Sequence, residues 1–263
     1  MRNCFLGSTL VLAALAFSAV LLAQTAKSSG AVTSIPNLSG TWNRGIGRTV
    51  AGIFDDDAGG VPFLGFTKQD PPLQPSAMEI YQANRKGITD PRLKGRDDFD
   101  PSNSCFPPGP TRIFTIPRPF EIRQTAEAVY ILSEMDHWVR RIYMDGRGHP
   151  DGYPSTWMGH SIGKYDGNTL VVDTAAINET TWIDTLGHPH SDALHLVERI
   201  RRLNHDTLEI EVTFEDPKVY TRPWTGKKVY QLQPPSYELK EDVICEEYRK
   251  PGLRNDGFEF IKP

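Results

Sequence analysis

From Pro119 onward the chain is a succession of short apolar segments separated by polar turns, with no helix-length stretch between them. Residues 207–215 show the pattern most cleanly. Leu208, Ile210, Val212 and Phe214 fall on one parity; Glu209, Glu211, Thr213 and Glu215 fall on the other. A period of two with one apolar face is a strand with one buried and one wetted side. Asp145-Gly146, Asp166-Gly167-Asn168 and Asn204-His205-Asp206 supply turns between such segments. Strands are predicted at 120–124, 128–132, 139–144, 157–164, 169–173, 194–203, 207–214, 227–232 and 237–245. Successive strands joined by tight turns predict a mostly β fold, an antiparallel up-and-down meander. Closing it into a barrel removes the exposed edges. A sandwich ranks second. A propeller ranks third, because no fixed-period repeat runs through the chain. Gly 22 and Pro 21 in 263 residues are too many for a helical bundle.

The chain before the meander has a different character. Residues 1–24 place Arg2 ahead of an apolar run from Phe5 to Ala23, with small residues at Ala23 and Ala26. This pattern predicts a secretory signal that is removed. The alternative is a retained membrane anchor, since the run is long enough to span a bilayer. With the signal gone, no stable membrane insertion is expected, and the protein would be periplasmic or secreted. Residues 25–37 read as a flexible tether. Residues 38–263 read as one β domain, with a loop-and-helix insert at 38–118 after the first strand and the meander at 119–248. Within the insert, Ser76-Ala77-Met78-Glu79 reads as a capping box with Ser76 as N-cap, and Gly87 as the helix stop. Met78 and Tyr81 share its buried face. The apolar patch Val61-Pro62-Phe63-Leu64-Gly65-Phe66 is expected to cover part of the body.

Export changes how cysteine is read. Cys4 leaves with the signal, so Cys105 and Cys245 remain, and an oxidising compartment favours one disulfide between them. Two buried free thiols are the alternative. A bridge across roughly 140 residues is worth about 4–5 kcal/mol by loop-closure entropy.

Gly40-Thr41-Trp42 resembles the Gly-x-Trp signature of lipocalins and related calycin barrels, which implies an up-and-down barrel. The stretch 157–173, the segment Gly187-His188-Pro189-His190-Ser191-Asp192, Asp145-Gly146-Arg147 and Asp216-Pro217 resemble a group of exported bacterial β-domain proteins. That resemblance covers residues 105–248. It implies export and a single β domain, and brings with it no reaction and no catalytic residue.

Net charge is −4, so there is no basic surplus of the kind nucleic-acid binding requires. No phosphate loop, dinucleotide fingerprint or haem-attachment motif occurs, and the expected chemistry needs no cofactor. The densest polar cluster holds Asp184, His188, His190, Ser191, Asp192, His195 and Glu198. In extended chain, His188 and His190 project to one face. They suit proton transfer or ligand contact; a metal held by His188 and His190 is one alternative, a bland surface loop another. Glu198 shares parity with Leu194, Leu196 and Ile200, so an inward face would bury it and suit it to proton transfer. A buried ion pair with Arg140, Arg141 or Arg201 competes with that reading.

His160 shares parity with Met158 and Ile162 and reads as a core histidine, with Gly159, Ser161 and Gly163 on the roomy opposite side. The run Gly159-His160-Ser161-Ile162-Gly163 satisfies Gly-x-Ser-x-Gly, but a hairpin follows where a nucleophile elbow needs a helix. The expected catalytic set is therefore His188, His190, Glu198, Asp184 and His160. Trp157, Trp182, Tyr143 and Arg141 are the expected ligand contacts. The leading expectation is an exported enzyme doing acid/base chemistry as a lyase, isomerase or hydrolase. Its substrate would be a small, partly apolar molecule in a barrel pocket. The alternative is a non-catalytic barrel that carries a hydrophobic ligand.

Overall fold

The computed structural model describes residues 35–44, 64–89, 101–241 and 245. The expected signal and most of the tether lie outside the described residues, as do residues 61–63 of the apolar patch. Nine strands form a closed barrel in sequence order: β1 Gly40–Asn43, β2 Phe120–Gln124, β3 Ala128–Ser133, β4 Val139–Tyr143, β5 His160–Asp166, β6 Thr169–Ala175, β7 His195–Asn204, β8 Thr207–Glu215 and β9 Trp224–Leu232. β1 closes on β9 through Trp42 opposite Leu232. The mostly antiparallel barrel expected from the alternation is therefore present.

Two details differ from the expectation. β4 and β5 run parallel, with Ile142 opposite Ser161 and Tyr143 opposite Ile162. Residues 144–159 carry the chain back along the outside of the barrel before β5 begins. Asp145-Gly146 turns the chain, but into this return rather than into the next antiparallel strand. The second difference is at the end. Residues 237–241 are irregular rather than a ninth-to-tenth strand pairing. Tyr237 instead gives its hydroxyl to Glu134, 2.8 Å away.

The interior is packed by one parity of each strand: Trp42, Phe120, Ile122, Ile131, Ile142, Leu170, Val172, Leu196, Ile200, Ile210, Val212, Phe214 and Tyr230 are all buried. Each such side chain contributes about 1.5–3 kcal/mol of burial. Gly40, at φ 144°, lets β1 start against β9, where a Cβ would sit 2.6 Å from Leu232 Cδ1. Trp42 then fills the interior and donates its indole N–H to Leu38 O.

The β2–β3, β5–β6 and β7–β8 turns lie at one rim. At the other lie the β3–β4 turn and the 176–194 and 216–223 connections, which cap it. Leu64, Gly65 and Phe66 enter this cap as the apolar patch predicts. Phe66 packs edge-on against Phe214 with ring centres 5.2 Å apart, and Lys228 donates to Gly65 O from inside the barrel. Helix α1, Pro75–Thr89, begins one residue before the predicted N-cap, and Gly87 lies inside it, buried. Proline suits the first helical position because its missing N–H has no helical partner there. Ala77, Tyr81 and Gly87 form the buried face, which lands on the 182–188 loop. There Asn84 donates to Gly187 O.

Cys105 and Cys245 are bridged, with Cα atoms 5.5 Å apart and a sequence separation of 140. Among the described residues no helix is long and apolar enough to cross a membrane.

Candidate functional site

The expected catalytic residues are all placed, but in three separate surroundings. Glu198 points into the barrel and is fully buried. It faces Arg140, which is equally buried. Arg140 Nη1 donates to Glu198 Oε1 at 2.8 Å, and Nη2 reaches Oε2. The same guanidinium donates to Ser161 Oγ, Thr174 Oγ1 and Pro110 O. Every polar atom of this cluster is engaged in holding the others. Of the three arginines considered, Arg140 is the partner, because its parity on β4 is inward while Arg141 and Arg201 face out. Ser161, the centre of Gly-x-Ser-x-Gly, is part of this ion-pair network, and among the described residues its hydroxyl is bonded to Arg140 and Thr174 and to no histidine.

His188, His190 and Asp184 lie in the cap. Asp184 Oδ2 accepts Nδ1–H of His188 at 2.7 Å. His188 Nε2 is 3.5 Å from Asp70 Oδ1, and its ring stacks on Tyr81 with centres 4.2 Å apart. Burial pushes the His188 imidazole down, but the carboxylates of Asp184 and Asp70 outweigh it and hold it above the usual histidine range. This arrangement clamps α1 and its approach segment onto the 182–188 loop. His190 has both nitrogens occupied, Nε2 by Thr181 Oγ1 at 2.6 Å and Nδ1 donating to Ser191 O at 2.9 Å. Burial holds its pKa down, so it stays neutral. Among the described residues the two imidazoles of His188-Pro189-His190 share no hydrogen-bond partner. Among the described residues no group of three or more His, Cys, Asp or Glu is placed to hold a metal ion.

The third surrounding is on the outer wall. Ser161, Gly163 and Tyr165 take the inward parity of β5, so His160, Ile162 and Lys164 face out. The core reading of His160 is corrected on this point: it is 4 % exposed because the 144–159 return covers it, not because it lies in the barrel. The room beside Gly163 is taken by Ile142 and Met144, whose atoms lie 2.9 and 2.7 Å from where a Cβ would stand.

Covering His160 brings distant residues together. His160 Nδ1 is 2.8 Å from His149 Nδ1, and His149 Nε2 is 3.0 Å from Asp173 Oδ1. His195 Nε2 reaches the same oxygen at 2.9 Å, and its Nδ1 is 3.4 Å from Glu215 Oε2. The carboxylate fixes the tautomers. His149 donates Nε2–H to Asp173, so its Nδ1 accepts Nδ1–H from His160. Asp173 Oδ2 is left without a hydrogen bond among the described residues. Burial pushes the Asp173 carboxyl up, but hydrogen bonds from His149 and His195 outweigh it and hold it below its usual range. Burial likewise pushes His195 down, and Asp173 and Glu215 outweigh it, raising it above the usual 6.5. His160 is held below its usual value by burial, by His149 and by Arg147.

A hollow of about 290 Å³ opens beside this cluster, lined by Gly146, Arg147, Ile162, Gly163, Lys164, Val171, Asp173 and Val197. Its size suits a ligand at the small end of the usual range. Arg147 is tied to Asp145 through Nε at 2.8 Å and lies 3.9 Å over the Tyr143 ring. Of the expected ligand contacts, Tyr143 stacks on His160 at 5.3 Å, and Arg141 lies over Tyr143 at 4.5 Å. Trp157 stacks instead on Phe106, and Trp182 lies in the cap under Arg112.

His149, Asp173, Arg147 and Glu215 were not singled out by sequence, and His195 only as one of a cluster. Part of the signal was present. The Asp166-Gly167-Asn168 turn sets Asp166 opposite Thr169, and counting back puts Asp173 opposite Ile162 on the face of His160.

The pairing makes stability depend on pH in a stated direction. The lowered Asp173 contributes above its unfolded value of 3.8, and that contribution is lost as pH falls through the folded pKa. The raised His195 contributes below 6.5, and that is lost as pH rises through its folded pKa. His195→Gln is therefore expected to destabilise more at pH 5 than at pH 9 in urea unfolding. Both side chains are more than a third exposed, so the difference should stay below about 1 kcal/mol.

Comparison with protein-family profiles, with curated proteins and with solved structures finds no match to this chain.

Proposed function

We propose that this protein is an exported enzyme that moves protons on a small, partly apolar molecule bound in the outer hollow over β5, β6 and β7. The observation that carries the reading is Asp173. One of its oxygens holds two imidazoles, while its other oxygen is open and the residue itself lines an otherwise largely aliphatic hollow. A carboxylate that orients an imidazole makes that ring a better-aimed proton carrier. His195 is the proposed acid/base, because Asp173 and Glu215 raise its pKa from 6.5, it is hydrogen-bonded to Asp173, which lines the hollow, and it shares the outward parity of β7 with Val197, which also lines it. Asp173 accepts a hydrogen bond from the ligand at Oδ2 and keeps His195 and His149 in register. His149, hydrogen-bonded to His160 behind it, fixes the same Asp173 oxygen from the other side.

This reading moves the site expected inside the barrel to its outside wall. The carrier alternative would place an apolar ligand in the interior, where Arg140, Glu198 and Lys228 lie buried. Reaction type within lyases, isomerases and hydrolases follows from which proton is moved.

The test is solvent exchange. The protein is incubated in D2O with a panel of small enolisable ketones, hydroxy acids and their esters, and deuterium uptake is read by NMR. The expected result is uptake above the buffer rate for at least one class, falling by roughly 10²–10⁴-fold in both Asp173→Asn and His195→Gln. Uptake that is unchanged in both variants, or absent across the panel together with no ligand-induced shift of the His195 resonances, overturns the reading.

A further inference from the structure

The proposed site also carries information about what its ligand must look like. This inference rests on that reading and concerns the far end of the same hollow. Strand register sets the outer wall in rows. Ile162, Asp173 and Val197 form one row; Lys164, Val171 and Arg199 form the next. The rows are two residues apart along each strand, about 6.8 Å. The hollow thus has a carboxylate at one end, aliphatic side chains in its floor, and Lys164 at the other end.

The charges around it are not balanced equally. Arg199 is held by Asp166, 3.2 Å away. Arg147 is held by Asp145 through both of its carboxylate oxygens. Asp173 is matched by His149 and His195, and His195 also faces Glu215. Among the described residues Lys164 is the lining cation with no ion pair or hydrogen bond to a protein group. An unbalanced ammonium on the wall of an aliphatic hollow favours an anion at that end.

We infer that the ligand of this groove is a small aliphatic monoanion, a carboxylate or its equivalent. Its charged group meets Lys164, and its proton-bearing carbon, hydroxyl or amine reaches Asp173 and His195 across the Ile162–Val171–Val197 floor. The distance between rows allows two or three carbon atoms between the anionic group and the reacting one. A longer chain would pass the hairpin turn or collide with the Gly146–Arg147 lip.

The experiment compares isovalerate with isovaleramide, which have the same shape and differ in charge. Binding is followed by the His195 imidazole resonances in the whole protein and in Lys164→Met, which keeps the apolar stem and loses the ammonium. The expected result is that the protein binds isovalerate about 5- to 10-fold more tightly than the amide, that the preference shrinks as salt is raised, and that it vanishes in Lys164→Met. If both probes shift His195 with equal affinity, the anion inference is overturned while the groove reading stands. If the preference survives in Lys164→Met, the assignment to Lys164 is overturned. If neither probe shifts His195, the groove reading fails together with the inference.

Discussion

Glu198→Gln is expected to cost about 3–5 kcal/mol of folding stability, because it leaves the Arg140 guanidinium charged and buried without its counter-charge. Arg140 and Glu198 are 1 % and 0 % exposed, so water cannot take the carboxylate's place. That loss is a large share of a typical domain's net stability of roughly 5–15 kcal/mol. The double variant Arg140→Met with Glu198→Leu should behave differently. It removes both charges, and Ser161 Oγ and Thr174 Oγ1, already 2.9 Å apart, can satisfy each other. Its cost should be small, or its sign reversed. Urea unfolding of Arg140→Met, Glu198→Leu and the double variant closes the cycle. If Glu198→Gln lost both stability and the proposed proton exchange by equal factors, with the double variant equally inactive, Glu198 would have to be given a part in the chemistry. The expectation is that exchange survives in whatever fraction remains folded.

Opening the Cys105–Cys245 bridge is expected to cost roughly 5 kcal/mol by loop-closure entropy alone, since it closes a loop of 140 residues. The effect should be local as well as global. Cys245 gives its backbone N–H to Asp136, and Tyr237 and Lys240 both bond to Glu134 Oε2 on the same turn. Burial and Glu134 push the Tyr237 hydroxyl up to about 12. In Cys105→Ser with Cys245→Ser, proteolysis should therefore reach residues 237–245 well before the barrel unfolds. Tyr237 should then titrate nearer the usual tyrosine range. A denaturation midpoint unchanged by reduction would refute the estimate.

The barrel was legible because alternation needs only neighbours in sequence. β8 declares its buried face in Leu208, Ile210, Val212 and Phe214, and its partners follow through short turns of known geometry. The parallel β4–β5 pair was not legible. It depends on the 144–159 return, on the bridge between Thr156 and Ile177, and on Gly159, whose φ of 66° lets β5 start close against Ala175. That crossing decides which parity of β5 faces inward, and it puts His160 on the outside. A parity count says which residues share a face, but not which face is inside when both carry apolar groups. Glu198 showed the limit in another way. Its inward parity was readable, but its partner was fixed by the pairing of β4 with β5, far away in sequence. The imidazoles of His188 and His190 were expected to converge because they are close in the chain. Asp184 and Thr181 draw them to different neighbours. The cluster that does converge takes His149, His160, Asp173 and His195 from four separate segments, and the registers of β5 with β6 and of β6 with β7, with the return laid over them, bring them into line.

Nine strands and one parallel pair are linked by counting. Around a closed cylinder the chain direction must return to its starting sense, so the number of direction reversals must be even. Nine strands joined only by hairpins would be forced to meet head-to-head in the same sense where the first and last touch. Here that obligatory same-sense seam is moved to β4 and β5, where a connection must travel the full height of the wall. The cylinder therefore zips shut with ordinary antiparallel bonding at β1 and β9. The travelling connection is left as a panel laid over the outside. It is tied back to the wall by the Thr156–Ile177 bridge, and it is the panel that supplies His149 and Arg147.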